Sequence, residues 1–247
     1  MRRAFLVPTL LRGNASKMDS TLELIQTAER FVRQQMEIGE REFICRRGPS
    51  PAGSPMAEPP APQTLEAFYE SIKDCRKCPL GKLRTRLVFG AGNPDADVMF
   101  IGEAPGREED LQGAPFVGQA GQLLTKIIQA IRLAREEVYI ANILKCRPPN
   151  NRDPEPEEIA QCEPHLIRQI ELIQPKIICA LGRIAGQTLL KTSAALGSLR
   201  GKVHRYHGVK LIVTYHPAAL LRNPQWKRPT WEDMKLLRRE YDGMELG

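Results

Sequence analysis

From Thr64 onward the apolar positions follow two alternating patterns. Four short, nearly unbroken apolar runs, Asp97–Gly102 (DVMFIG), Val138–Ile143 (VYIANI), Lys176–Leu181 (KIICAL) and Lys210–Tyr215 (KLIVTY), predict strands buried on both faces. Between them the apolar residues recur at helical spacing. Leu123, Leu124, Ile127, Ile128 and Ile131 share one face of a helix over 122–131, and Ile159, Leu166, Ile170 and Ile173 share one face of a helix over 156–173. Strands alternating with amphipathic helices predict an α/β fold, with a mainly parallel four-stranded central sheet covered on both faces. In such sheets ligands bind outside the carboxyl ends of the strands, and Glu103, Asn142 and His216 each fall at or just beyond one. His207-Gly208 reads as the turn of a hairpin between Val203 and Val213.

Residues 1–63 read differently. Ser20-x-x-Glu23 has the form of a capping box, and Leu24, Ile25, Ala28, Phe31, Val32 and Met36 follow at helical spacing, which predicts one helix over 20–37. Between Arg46 and Gln63 lie Pro49, Pro51, Pro55, Pro59, Pro60 and Pro62, a linker composition that continues neither helix nor sheet. The expected organisation is an N-terminal extension over 1–63 and one catalytic or binding domain over 64–247. Arg2, Arg3, Arg12 and Lys17 stand with no acid among them, which suits a weak targeting segment, a DNA-attracting arm or an overlong start with Met18 as the initiator, the last being favoured.

Composition narrows the class. With 42% hydrophobic residues and no apolar run long enough to cross a bilayer, the chain is expected to be soluble, with no membrane partner. An excess of 36 Lys and Arg over 29 Asp and Glu, net +7, suits a polyanionic partner, although charge alone does not single out DNA. A chain of 247 residues can bury its own core, and no apolar signal segment precedes the domain, so the six cysteines point to a reducing, cytoplasmic setting rather than to disulfides.

Four cysteines form two pairs, Cys75-x2-Cys78 and Cys146-x15-Cys162. The first pair has the spacing by which two thiolates reach one metal, and tertiary structure must bring in the second. Zinc and an iron–sulfur cluster both suit four thiolates. The single tight knuckle and the Cys78-Pro79 step favour the cluster. Cys179, inside an apolar run, reads as a small hydrophobe, and Cys45 has no partner at ligand spacing. The turn Gly102-Glu103-Ala104-Pro105-Gly106 has neither the Lys-Ser/Thr of a phosphate loop nor a dinucleotide fingerprint. It runs into Arg107-Glu108-Glu109-Asp110, an acidic stretch that repels a triphosphate but can line a pocket for a neutral base.

Taken together, Gly102–Gly106, Gly113–Gly121 (GAPFVGQAG), Asn142–Pro149 (NILKCRPP) and His216–Pro224 (HPAALLRNP) make the chain resemble the family 4 uracil-DNA glycosylases, the iron–sulfur branch of their superfamily. The resemblance runs from about Cys75 to Asp242. It implies a three-layer α/β/α sandwich, hydrolysis of the N-glycosidic bond of uracil in double- or single-stranded DNA, and a monomeric enzyme. It also implies a structural [4Fe-4S] cluster on Cys75, Cys78, Cys146 and Cys162. The alternatives are a glycosylase for another deaminated base and a non-catalytic Fe-S DNA-binding module.

The implied residue roles have a physical logic. An enzyme that reaches a glycosidic bond takes the nucleotide out of the stack and holds the base in a tight pocket. The resemblance gives Gly102, Ala104 and Gly106 to the pocket backbone and Phe116 to stacking. Asn142 carries a donor and an acceptor that match uracil O4 and N3–H, the reverse of cytosine's pattern. His216 would donate to O2 as charge collects there, and Glu109 would crowd C5 and exclude thymine. Ala104 stands where sister families have a water-activating aspartate, which leaves Glu103 as the nearest carboxylate to position water. Leu220 and Leu221 would wedge into the vacated stack with Arg222 near the backbone, and Lys145, Arg147, Arg200, Lys202 and Arg205 would contact phosphates. His165, His204 and His207 read as structural. Arg107 and Ala219 depart from the family, at positions where an acid and a larger residue are common.

Overall fold

In a computed structural model, residues 64–245 are described. The helix predicted over 20–37, the proline-rich linker and Cys45 lie outside them. The described chain is a three-layer α/β/α sandwich. In order, it runs α1 (Leu65–Ile72), α2 (Leu80–Leu83), β1 (Ala91–Gly92), β2 (Val98–Gly102), α3 (Arg107–Gln112), α4 (Gln119–Ala130), β3 (Tyr139–Asn142) and α5 (Pro156–Ile173). Then follow β4 (Ile177–Leu181), α6 (Arg183–Leu190), α7 (Leu196–Leu199), β5 (Val203–Tyr206), β6 (Val209–Thr214), α8 (Pro217–Arg222) and α9 (Lys227–Glu245).

The four predicted strands form the parallel centre, in the order β3-β2-β4-β6. The sheet has six strands rather than four, because β1 pairs antiparallel with β3 at one edge and β5 with β6 at the other. A two-residue strand such as β1 has no periodicity to read; β5 is the first arm of the expected hairpin, which joins the sheet instead of standing outside it. The helix predicted over 156–173 forms over those residues, with Pro156 in the first turn, where its missing N–H costs nothing.

Strand alternation sorts the core into two. Met99, Ile101, Ile178, Ala180 and Val213 face α1 and α5, packing on Phe68, Leu166 and Ile170. Phe100, Ile140, Cys179 and Ile212 face the other way, against Leu124 and Ile128 of α4 and Met234 and Leu237 of α9. Cys179 is completely buried there, a thiol that acts as a small apolar side chain. Connections leave β2 toward β3 on one side while β4 lies on the other, so the strand order reverses between β2 and β4, the place where parallel sheets open a crevice. Among the described residues no helix is long and apolar enough to cross a membrane.

Candidate active site

A crevice of about 400 Å³ opens at the carboxyl ends of the parallel strands, and its lining includes Glu103, Phe116, Asn142, Asp153, His216 and Arg222. Ala104, Gly106 and Glu109 also line it. Gly102, expected in the pocket backbone, is not among the residues lining it; it ends β2, paired in register with Asn142. A Cβ on Gly102 would come within 2.4 Å of Asn142 Oδ1 and 2.7 Å of the Phe116 ring, so only glycine lets these two side chains meet over the strand end.

Asn142 is the last residue of β3 and is buried, yet its Oδ1 has no hydrogen-bond partner among the described residues. A buried acceptor without a partner costs about 1–3 kcal/mol, so an arriving N–H would recover that loss. Its main-chain carbonyl is held from behind by Lys145 Nζ at 2.7 Å.

His216 caps α8. Its Nδ1 accepts the Ala218 N–H at 3.1 Å. That bond puts the proton of the neutral ring on Nε2. Burial foremost, then the charge of Arg222, lowers its pKa to about 4, against a smaller pull from Glu109. The ring is therefore a neutral N–H donor at ordinary pH, set 5.5 Å from the Phe116 ring centre at a tilt of 31°. Gly182, just past β4 at φ +97, leaves room for the histidine: a Cβ there would be 3.0 Å from His216 Cβ.

Phe116 adopts φ +53, a left-handed conformation costly for an aromatic residue. The surroundings hold it there. Arg135 Nη2 donates to the carbonyls of Pro115 and Phe116 at 2.9 and 3.1 Å. Glu109 accepts three main-chain N–H groups, Gly106 at 3.1 Å on one oxygen and Val117 and Gly118 at 3.0 and 3.3 Å on the other. Its carboxylate thus ties the turn after β2 to the Phe116 loop, a clasp that the residue type and position did not announce. Asp110, buried, accepts the Thr85 N–H at 3.0 Å.

Glu103 has its pKa pushed up to about 7, first by burial and then by the charge of Asp153, with Arg183 opposing. Asp153 and its neighbours Asn151 and Arg152 line the crevice and were missed from the sequence. They carry no motif of their own and arrive only because the chain folds back after β3.

Several expected DNA contacts are corrected. Lys145 is fully buried, bonded to Asn142 O and to Gln169 Oε1 at 2.6 Å, and desolvation lowers its pKa to about 8. Arg200 has a side chain only 13% exposed, paired with Asp233 and bonded to the Pro229 carbonyl. Neither presents its charge to a phosphate. Leu220 is 1% exposed and belongs to the core, while Leu221 beside it is 46% exposed, so one leucine rather than two is free to wedge. Lys202 and Arg222 are exposed, and Arg147 is partly so, bonded to Asn151 Oδ1 at 2.8 Å.

On the α1–α5 side the four cysteines come together. Cys146 feels the charges of Cys78 and Cys75, Cys162 those of Cys146 and Cys78, and burial raises both thiols, Cys162 to about 11. Donors aim at the sulfurs: Arg84 Nη1 at 3.2 Å from Cys146 Sγ and the Lys145 N–H at 3.3 Å from Cys162 Sγ. His165, set aside from the sequence as structural, lies with Nε2 3.4 Å from Cys75 Sγ. Among the described residues no three such side chains close on a single metal ion. Two buried and two half-buried thiols in one region, with N–H donors on the Cys146 and Cys162 sulfurs, fit a group that takes four thiolates and neutralises their charge.

The fold and crevice together define an α/β/α sandwich in which an aromatic side chain, an amide and a neutral imidazole line one crevice at the strand ends. The family model described as Uracil DNA glycosylase superfamily matches residues 89–235. The chain is 47% identical to the type-4 uracil-DNA glycosylase of Archaeoglobus fulgidus over 70% of its own length and 91% of the relative's. It is 48% identical to that of Saccharolobus solfataricus (69% and 83%) and 47% to that of Sulfurisphaera tokodaii (71% and 84%). The chain belongs to the uracil DNA glycosylase superfamily, in its type-4 branch.

Proposed function

We propose that residues 64–247 form a glycosylase that flips uracil out of DNA and hydrolyses its N-glycosidic bond, leaving an abasic site for repair, with residues 1–63 as an extension outside the catalytic unit. The observation that carries this reading is the unpaired, buried Asn142 Oδ1 sharing a crevice with a neutral His216. Uracil N3–H would satisfy Oδ1 while the amide N–H donates to O4, whereas cytosine would oppose acceptor to acceptor. Phe116 would lie against the ring. As the N1–C1′ bond breaks, its electron pair passes into the base, and the His216 Nε2–H stabilises the charge growing on O2. Glu103, when ionised, orients the water that adds to the oxocarbenium-like C1′ and takes up its proton. The departing base is finally protonated at N1.

Cys75, Cys78, Cys146 and Cys162 would hold a [4Fe-4S] cluster, whose chemistry here is to cross-link chain segments far apart in sequence. Glu109 would stand beside C5, so that the same carboxylate that clasps the Phe116 loop disfavours thymine. The enzyme would be monomeric and would work in a reducing cytoplasm, a setting that the free cysteines among the described residues suit. The purified protein, incubated with oligonucleotides carrying uracil, hypoxanthine or a thymine mismatch, is expected to form abasic sites at uracil. No abasic sites at uracil would overturn this function.

A further inference from the structure

A second concavity, about 730 Å³, lies away from the crevice, between α2, the loop after it and the end of α3. Five cations line it: Lys73, Arg76, Lys82, Arg84 and Arg86. Two are already engaged. Lys73 pairs with Glu70, and Arg84 donates to the Lys73 and Cys75 carbonyls and to Cys146 Sγ. Arg76, Lys82 and Arg86 are exposed and form no ion pair among the described residues, with Asp74 the lone acid on the wall. Three uncommitted cations around one groove attract a polyanion at close range.

The groove is tied to the crevice by α3. This six-residue helix is capped at its start by Gly106, in the crevice wall, and ends at Gln112, which with the capping Gly113 lies in the groove wall. Its length is about 9 Å at about 1.5 Å per residue. Gly113 takes φ +77, and Arg86 Cδ would lie 3.4 Å from a Cβ placed there, so Arg86 flanks the start of the loop that carries Phe116. For a strand running along α3, at about 3.4 Å of axis per phosphate, the groove would lie about two to three phosphates from a nucleotide in the crevice. Lys145 is enclosed and Arg200 is paired with Asp233, whereas Arg76, Lys82 and Arg86 remain exposed.

We propose that this groove, through Lys82 and Arg86 with Arg76, holds backbone phosphates of the damaged strand about two to three nucleotides to one side of the flipped base, an inference that rests on the glycosylase reading. The contacts position the strand and carry no sequence information.

The test pairs Lys82→Gln/Arg86→Gln with the wild type, leaving Arg76 alone because it sits inside the Cys75–Cys78 step. Binding to a duplex with uncleavable 2′-fluoro-deoxyuridine is followed from 50 to 200 mM salt. Loss of two phosphate contacts should make log K against log salt shallower by about 1.8. Neutral methylphosphonate linkages, walked outward from the uracil, should weaken the wild type at about two to three nucleotides on one side and leave the double variant indifferent there. An unchanged slope, or a linkage scan flat across that window on the wild type, overturns the proposal. The scan needs no variant, so it decides even if the double variant misfolds. A shallower slope in a protein that does not excise uracil would sink the glycosylase reading and keep the groove as a DNA surface.

Discussion

The crevice and the cysteine cradle are built on opposite policies toward polar groups. In the crevice, polar atoms are buried and left in need: among the described residues Asn142 Oδ1 has no partner, Glu103 has its pKa lifted to about 7, and the bond to His216 Nδ1 leaves the ring proton on Nε2. Around the cysteines, the groups that reach the sulfurs, Arg84, the Lys145 N–H and His165, are engaged. Arg84 alone joins the Lys73 carbonyl, the Cys75 carbonyl and the Cys146 sulfur. Lys145 stands between the two regions, its Nζ fixing Asn142 while its N–H reaches Cys162. Unmet hydrogen-bonding capacity marks where a substrate belongs, and saturated capacity marks where segments are fastened.

If the cradle fastens and the crevice acts, damage to each should look different. Cys146→Ser should have the largest effect, a failure to fold or a large drop in melting temperature, since removing one of four ligands to a group that staples distant segments removes folding free energy. Thermal unfolding together with visible absorbance and iron content checks it. A folded, colourless, fully active variant would break the comparison. His216→Ala should fold normally and lose roughly 10²–10³ in single-turnover excision, about 2.7–4 kcal/mol, as when one oxyanion donor is removed. Affinity for abasic DNA should barely move; equal losses in both would mean that the histidine packs the loop and does not touch the base.

Glu103→Gln sharpens the crevice side. Because the Glu103 pKa is raised and its ionised form would do the work, excision should rise with pH through about 7 and then level, while His216, neutral above about 4, adds no further limb in that range. The glutamine variant should lose about 10²-fold, the low end for a positioned base, and its profile should be flat across pH 6–8. A limb that survives near 7 would assign it to another group. The smallest effect is expected from removing residues 1–63, which should leave uracil excision within about twofold if the extension lies outside the catalytic unit. A large loss in a truncated protein that still holds iron would bring those residues into the DNA site.

Much of this was legible in the linear chain. Four apolar runs became the parallel centre, with boundaries moved by at most a residue at either end of most strands, and the 156–173 helix formed over those residues. Glu103, Asn142 and His216 reached one crevice because strand ends in a parallel sheet share a side. The misreadings concern commitment. By residue type Lys145 and Arg200 are expected to face phosphates, yet Lys145 is enclosed with Gln169 and Arg200 is paired with Asp233, partners 24 and 33 residues away. Leu220 and Leu221 are adjacent in sequence, and only the docking of α8 decides that the first is buried and the second exposed.

Sequence alone therefore determined the layers, the strand ends and the donor sets, because periodicity and residue chemistry are local properties. The tertiary structure decided which donors are spent and which are held open. Glu109 became a clasp because Val117 and Gly118 fold back over it, Asp153 tuned Glu103 from a different loop, and Gly182 mattered only once His216 approached it. Hydrogen bonding and desolvation depend on distances of a few ångströms between segments far apart in the chain, and no local pattern encodes those distances.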